Sequence, residues 1–194
     1  MKILIFDNYD SFTYNLVHLV EKIIHQKVEV FRNDKIALEE IEQYDKIILS
    51  PGPGIPSEAG LLIPLVKQYA STKSILGVCL GHQAIGEAFG ATLLNLSTVY
   101  HGVATTIKLM NRKMIDRSND VFEGMPDELE AGRYHSWIVD EKNFPKELII
   151  TAKDENGYIM ALRHALYDVQ GVQFHPESVL TPEGETIMRN WLKQ

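Results

Sequence analysis

Ser74-Ile-Leu-Gly-Val-Cys-Leu-Gly-His-Gln-Ala84 holds the only cysteine of the chain, Cys79, between two changes of pattern. The apolar run Ile75 to Val78 reads as a buried strand. Gln83-Ala-Ile-Gly-Glu-Ala-Phe89 reads as a helix. A strand that passes directly into a helix through Gly77-x-Cys79-x-Gly81 is a nucleophile elbow written with a thiol. The two glycines are expected to allow the sharp turn that leaves the nucleophile exposed at its tip. Backbone N–H groups and the dipole at a helix N-terminus favour the thiolate, the reactive form. A strand–elbow–helix unit belongs to an α/β fold. A lone cysteine is more often a small buried hydrophobe, so Cys79 by itself does not establish a function.

Outward from this centre, strands and helices alternate. Strands are predicted at residues 2–6, 28–31 and 46–50. Helices are predicted after Asp10 or Ser11, near residues 36–41 and over 58–69, with a final one from Pro182 to about Lys193 capped by Thr181. This order predicts a parallel sheet covered by helices on both faces. Residues 92–162 hold β-rich segments, such as Val103-Ala-Thr-Thr-Ile-Lys-Leu109 and Leu148-Ile-Ile-Thr-Ala152, expected to add antiparallel strands. Val169-Gln-Gly-Val-Gln-Phe174 should return to the main sheet. The fold class is therefore an α/β three-layer sandwich, flavodoxin-like, with a mostly parallel central sheet and a small antiparallel addition. Residues 1–194 are expected to form one domain.

Two further segments bear on chemistry. Val172-Gln-Phe-His-Pro-Glu-Ser178 places His175 and Glu177 on either side of Pro176. A residue before proline is pushed toward extended backbone, and side chains two apart in an extended segment share a face. An imidazole base and its orienting carboxylate need that arrangement. A Cys nucleophile takes its base from elsewhere in the sequence, so the elbow and this pair reinforce each other. Lys46-Ile-Ile-Leu-Ser50 then runs into Pro51-Gly52-Pro53-Gly54-Ile55-Pro56, a rigid loop and a candidate wall for an oxyanion hole. In an open α/β sheet, ligands bind beyond the carboxyl ends of the strands. All three segments follow strands and can converge there.

Composition narrows the function classes. The formal charge of −7 argues against broad nucleic-acid binding. One cysteine excludes an internal disulfide and suits a reducing, cytoplasmic setting. There is no apolar run long enough to span a bilayer and no recognisable leader, so no membrane partner is expected. His18, His25 and His164 lack partners at metal-ligand spacing, so no metal is expected. His82 and Trp191 are expected to be packed rather than catalytic.

GVCLGHQ around Cys79, FHPES around His175 and Glu177, and LSPGPGIPSEAG at residues 49–60 resemble class I (triad-type) glutamine amidotransferases. Ile5-Phe-Asp-Asn-Tyr-Asp-Ser-Phe-Thr-Tyr-Asn15 and Arg133-Tyr-His-Ser136 narrow the resemblance: the chain is similar to the glutaminase subunits of anthranilate synthase and aminodeoxychorismate synthase. The resemblance covers nearly the whole chain. It implies a Cys79–His175–Glu177 triad that hydrolyses glutamine through a γ-glutamyl thioester, with no cofactor in this subunit. Ammonia would pass to a chorismate-binding synthase subunit. An oxyanion hole is implied at the Leu80 N–H and the backbone of Gly52, Pro53 and Gly54. Gln83 matches the position that touches the amino-acid end of glutamine, and the backbone of Ser136 and Trp137 the segment that holds its α-carboxylate. Two positions depart from the family's usual residues: Trp137, often leucine, and Val103, often lysine. The competing reading is a self-sufficient thiol hydrolase, a peptidase or γ-glutamyl hydrolase, on a similar fold. A non-catalytic flavodoxin-like scaffold is disfavoured by the intact Cys, His and Glu set.

Overall fold

The computed structural model describes residues 1–111 and 120–193. Its central sheet has nine strands among the described residues, in the order β2-β1-β3-β4-β11-β10-β9-β6-β7. The first five run parallel: β1 (Ile3–Asp7), β2 (Glu29–Arg32), β3 (Lys46–Leu49), β4 (Ser74–Val78) and β11 (Val169–Val172). The remaining four continue the same sheet antiparallel: β10 (Ile159–His164), β9 (Leu148–Asp154), β6 (Val103–Leu109) and β7 (Glu128–Arg133). A separate antiparallel ribbon pairs β5 (Leu93–Asn95) with β8 (Trp137–Val139).

The parallel strands are buried on both faces, which is why they read as unbroken apolar runs. Along β1, Ile3 and Ile5 point into one core while Leu4 and Phe6 point into the other. The first core is closed by Leu16, Val17 and Val20 of α1 (Thr13–Ile24) and by Ile187, Met188 and Trp191 of α4 (Gly184–Leu192). The second is closed by Leu62, Leu65, Val66 and Tyr69 of α2 (Leu62–Tyr69) and by Ala84 and Ile85 of α3 (Leu80–Ala88). Helices on both faces make the expected three layers. Residues 169–172 return to the sheet as β11, wedged between β4 and β10. This strand carries the His-Pro-Glu segment to the side of the elbow. Trp191 is fully buried, as expected. The indole ring stacks under the buried Lys46 ammonium, 4.5 Å from the ring centre, and its backbone carbonyl accepts from Lys46 Nζ at 3.1 Å.

Several local expectations are corrected. The region 58–69 is not one helix: a 3-10 turn at Pro56–Glu58 precedes α2. Residues 36–41 shift to a 3-10 helix, Leu38–Gln43. Asp10 and Ser11 do not cap α1, whose N-cap position is Phe12. Asp7 organises that turn, its Oδ1 accepting from the Tyr9 and Asp10 backbone N–H and from Thr13 Oγ1. Thr181 does not cap α4, which begins at Gly184. Its hydroxyl is spent elsewhere, at the candidate site.

Candidate active site

Cys79 sits between β4 and α3 with φ 52° and ψ −99°. A non-glycine residue held there costs on the order of 1–3 kcal/mol, tolerated only where its surroundings over-determine it. The surroundings are the two glycines, in a role different from the one expected. Neither Gly77 nor Gly81 takes a positive φ. They provide closeness instead. A Cβ on Gly77 would lie 2.5 Å from the Gly81 backbone, and one on Gly81 would lie 2.5 Å from the Leu49 carbonyl oxygen of β3. The first turn of α3 is thus pressed against two strands. The bend falls on Cys79, whose N–H is tied to the Val172 carbonyl of β11 at 2.9 Å.

β11 leads into the segment that holds His175. Its Nδ1 lies 2.7 Å from Glu177 Oε1, and neither side chain is more than 3% exposed. The pair sharing one face across Pro176 is the geometry expected from the sequence. Four hydrogen bonds fix the segment. His175 N–H donates to Gly132 O at 3.0 Å, and Thr181 Oγ1 donates to His175 O at 2.7 Å. Gly132 N–H in turn donates to Thr181 Oγ1 at 3.0 Å, and Ser178 N–H to His175 O at 3.2 Å. Thr181 therefore clamps the imidazole's backbone to β7. Phe12 and Tyr134 pack against the imidazole edge-on, with ring centres 5.7 and 4.8 Å away. Burial works against charge on His175. The hydrogen-bonded Glu177 carboxylate and the nearby Cys79 sulfur outweigh it and carry the pKa up to about 10. The imidazole therefore holds a second proton near neutral pH, the form that the Glu177 carboxylate beside it stabilises.

The 51–54 loop forms the facing wall. Gly52 has no room for a side chain: a Cβ would meet Asn8 and Leu80 at 2.7 Å. Asn8 anchors the loop from the end of β1, its Nδ2 donating to Ser50 O at 2.9 Å and its N–H to Ser50 Oγ at 2.8 Å. Ser50 Oγ donates on to Pro51 O at 2.7 Å. The Leu80 N–H belongs to the first turn of α3, where helix geometry supplies no partner four residues back. Gly52, Pro53, Gly54, Cys79, Leu80, Gln83, Tyr134, His135, Ser136 and Trp137 line one cavity of about 240 Å³. The structure thus gathers every substrate-contact position anticipated in the sequence around one space. That volume is below the roughly 300–1,000 Å³ typical of drug-sized ligands and suits a single amino acid.

Three participants were not anticipated. Asn8 lies in the 5–15 segment, which carries the resemblance and a predicted helix start but gives Asn8 no role. His135 lines the cavity, and burial followed by the nearby Arg133 charge pushes its pKa down to about 3. Gln173 is fully buried and donates from Nε2 to Cys79 Sγ at 3.6 Å. Its place two residues before His175 was the only available signal. His82 is fully buried, without a hydrogen-bond partner on either ring nitrogen. Burial holds its pKa down at about 4, so it is a packed neutral ring. Among the described residues no group of three or more His, Cys, Asp or Glu is placed to hold a metal ion. None of their helices is long and apolar enough to cross a membrane.

Comparison with known proteins agrees with this geometry. The bifunctional protein TrpGD of Thermotoga maritima is 44% identical over 98% of this chain, which spans only 32% of that longer protein. Anthranilate synthase component 2 of Thermus thermophilus is 44% identical, covering 100% of this chain and 92% of its own. Aminodeoxychorismate/anthranilate synthase component 2 of Bacillus subtilis is 41% identical, over 98% and 95%. A solved glutamine amidotransferase from Thermotoga maritima superposes with a TM-score of 0.79 over 100% of this chain and 96% of that one, at 14% identity, a likeness of fold alone. The profile of glutamine amidotransferase class-I matches residues 4–194. With that match and these relatives, the chain belongs to the class-I glutamine amidotransferases, an enzyme family.

Proposed function

We propose that this chain is the glutaminase subunit of a chorismate-using synthase, of the anthranilate or aminodeoxychorismate type, and that Cys79, His175 and Glu177 form its catalytic triad. The observation that carries the reading is the His175–Glu177 contact of 2.7 Å beside a strained cysteine at the N-terminus of α3. The similarity to component 2 proteins over nearly their full length supports the synthase partner.

Glutamine would enter the cavity with its side-chain amide at Cys79. Gln83 Nε2 is already committed to Trp137 O at 2.9 Å and Gln173 Oε1 at 3.2 Å. Its Oε1 remains to accept from the substrate ammonium. The backbone of Ser136 and Trp137 would receive the α-carboxylate. Trp137 can replace leucine there because the contact is through the main chain. The thiolate attacks the amide carbon, and the oxyanion forms toward the Leu80 N–H and the backbone of residues 52–54. One such donor is typically worth roughly 3–4 kcal/mol in the transition state. His175, already protonated, delivers its proton to the departing nitrogen and ammonia leaves. A γ-glutamyl thioester remains on Cys79. His175, now neutral, takes a proton from water, which attacks the thioester. Glutamate leaves, and the thiolate and imidazolium are restored. Glu177 holds the Nδ1 proton and stabilises the imidazolium throughout.

Ammonia released with no acceptor nearby is wasted, so turnover should depend on the partner. Steady-state glutamine hydrolysis by the purified chain, titrated with a chorismate-binding synthase subunit and chorismate, tests this. Weak hydrolysis that rises markedly on binding is expected. High turnover that the partner does not change would favour a self-sufficient thiol hydrolase.

A further inference from the structure

A largely buried polar chain runs from the far edge of the sheet to the sulfur of Cys79, passing the carbonyl of the half-buried Trp137 at the cavity wall. It begins at Arg133 on β7, which is inaccessible to solvent and pairs through Nη1 with Asp154 Oδ2 at 2.7 Å. Arg133 also lies over the Tyr100 ring, 3.5 Å from its centre. Its Nε donates to His135 Nε2 at 3.1 Å. Guanidinium has no acceptor, so His135 Nε2 must be the unprotonated nitrogen. Nδ1 then carries the hydrogen and donates to Trp137 O at 3.0 Å. The same carbonyl accepts from Gln83 Nε2. A carbonyl cannot donate, so that Gln83 atom is the amide nitrogen, and the Gln173 atom it also meets must be Oε1. The other end of the Gln173 amide is therefore Nε2, and it points at Cys79 Sγ. Every orientation follows from the two fixed ends, a guanidinium that only donates and a carbonyl that only accepts.

From this geometry we infer that Gln173 is a positioning residue for the nucleophile: its amide donates to the Cys79 thiolate and couples it, through Gln83, to the Trp137 carbonyl of the substrate wall. The inference rests on the reading of Cys79 as the nucleophile. A donor to the charged sulfur favours the thiolate over the thiol. It also limits where the sulfur can sit, so that a shift of the 136–137 segment reaches the nucleophile through two side-chain amides. Fixing both amides without a rotatable hydroxyl in the chain leaves no alternative arrangement of the same bonds. Burial adds to the effect, because a hydrogen bond is electrostatically stronger where water is excluded.

The test is the pH dependence of Cys79 alkylation by iodoacetamide in the full chain, compared across wild type, Gln173→Met and Gln173→Glu. Methionine fills the space and removes both ends of the amide. Glutamate keeps the acceptor for Gln83, removes the donor and places a carboxylate beside the sulfur. One lost donor to an ion is worth about tenfold in the thiol–thiolate equilibrium. The alkylation midpoint should therefore rise by about one pH unit in Gln173→Met and further in Gln173→Glu. The limiting rate at high pH should stay near that of wild type. Glutamine kcat/KM should fall about tenfold or more. In wild type, the Gln173 side-chain amide resonance should move with the same midpoint as alkylation, a readout that survives if neither variant folds. Midpoints unchanged in both folded variants, or an amide resonance blind to the titration, would overturn the inference. The reading beneath it fails separately: if fully alkylated wild type still hydrolyses glutamine, Cys79 is not the nucleophile at all.

Discussion

The two halves of the candidate triad are held by opposite means. The backbone of the elbow half is held without side chains: Cys79 is forced into its conformation by backbone pressed on backbone, Gly77 on Gly81 and Gly81 on Leu49, and only its sulfur meets a side chain, the Gln173 amide. The His175 half is held by side chains. Thr181 bridges its carbonyl to Gly132, Glu177 takes its Nδ1, and Phe12 and Tyr134 flank the ring. Tyr134 itself is tethered, its hydroxyl 3.1 Å from Ser178 Oγ. Close packing tolerates no added atom, whereas a hydrogen-bonded clamp can lose one member and weaken by degrees. The nucleophile is thus fixed by what is missing from the sequence, and the base by what is present.

The largest effects should come from the reacting groups themselves, in either half. Cys79→Ser should lose glutamine-dependent activity altogether while the assembled enzyme still works with added ammonia, since amination would take place on the partner. His175→Ala should lose ~10²–10⁴-fold in glutamine kcat, and Glu177→Gln less. Wild-type-like rates in all three would remove the triad.

Next comes the contrast between the scaffolds. Gly81→Ala places a methyl 2.5 Å from a main-chain oxygen, and relieving it should cost more than the typical 1–3 kcal/mol of overpacking. Denaturant unfolding should show that loss together with lost activity. Thr181→Val removes the clamp with little change of volume. It should lower kcat by about tenfold while costing only about 1–2 kcal/mol of stability, the range of a broken buried hydrogen bond. If Gly81→Ala is neutral in both assays, or Thr181→Val unfolds the chain, the division between the two halves is wrong.

The last effect leaves activity aside and is one of pH, and it belongs to the elbow side. His82 is packed against Gly171, its pKa lowered from 6.5 to about 4 by burial, against a smaller opposing effect of the Gly171 backbone. The unfolded chain therefore binds the extra proton first as pH falls. The packed ring's contribution is fully present above pH 6.5, is lost progressively below it, and reaches its full loss below about pH 4. The loss from this residue should be about 2 kcal/mol at pH 5 relative to pH 7.5. Unfolding free energies at the two pH values, in wild type and in His82→Leu, measure it. The variant should show the shallower fall. His135, pushed lower still by burial and Arg133, adds a second contribution of the same sign.

What the sequence revealed follows the same division. The strands β1, β3 and β4 were legible because burial on both faces makes an unbroken apolar run. The His-x-Glu pair was legible because proline forces extended backbone and two-residue spacing then sets the face. The role of Gly77 and Gly81 was only half legible: a glycine pair announces a special turn, but not that the strain would fall on the cysteine between them. Thr181 before Pro182 has the pattern of a helix cap, and no local rule says that its hydroxyl goes to a strand from another part of the chain. Asn8, Arg133 and Gln173 act through contacts 42, 21 and 94 positions away in sequence. Partners that remote leave no periodicity or spacing to read.

The central claim, that a thiol triad forms a γ-glutamyl thioester, has one direct test. The Glu177→Gln protein, combined with a chorismate-binding synthase subunit, is mixed with glutamine, quenched in acid within one turnover and analysed by intact and peptide mass spectrometry. The account predicts a glutamyl adduct confined to the peptide bearing Cys79, absent from Cys79→Ser treated in the same way. Normal glutamine turnover with no adduct at Cys79 at any quench time, or an adduct on another residue, would contradict it.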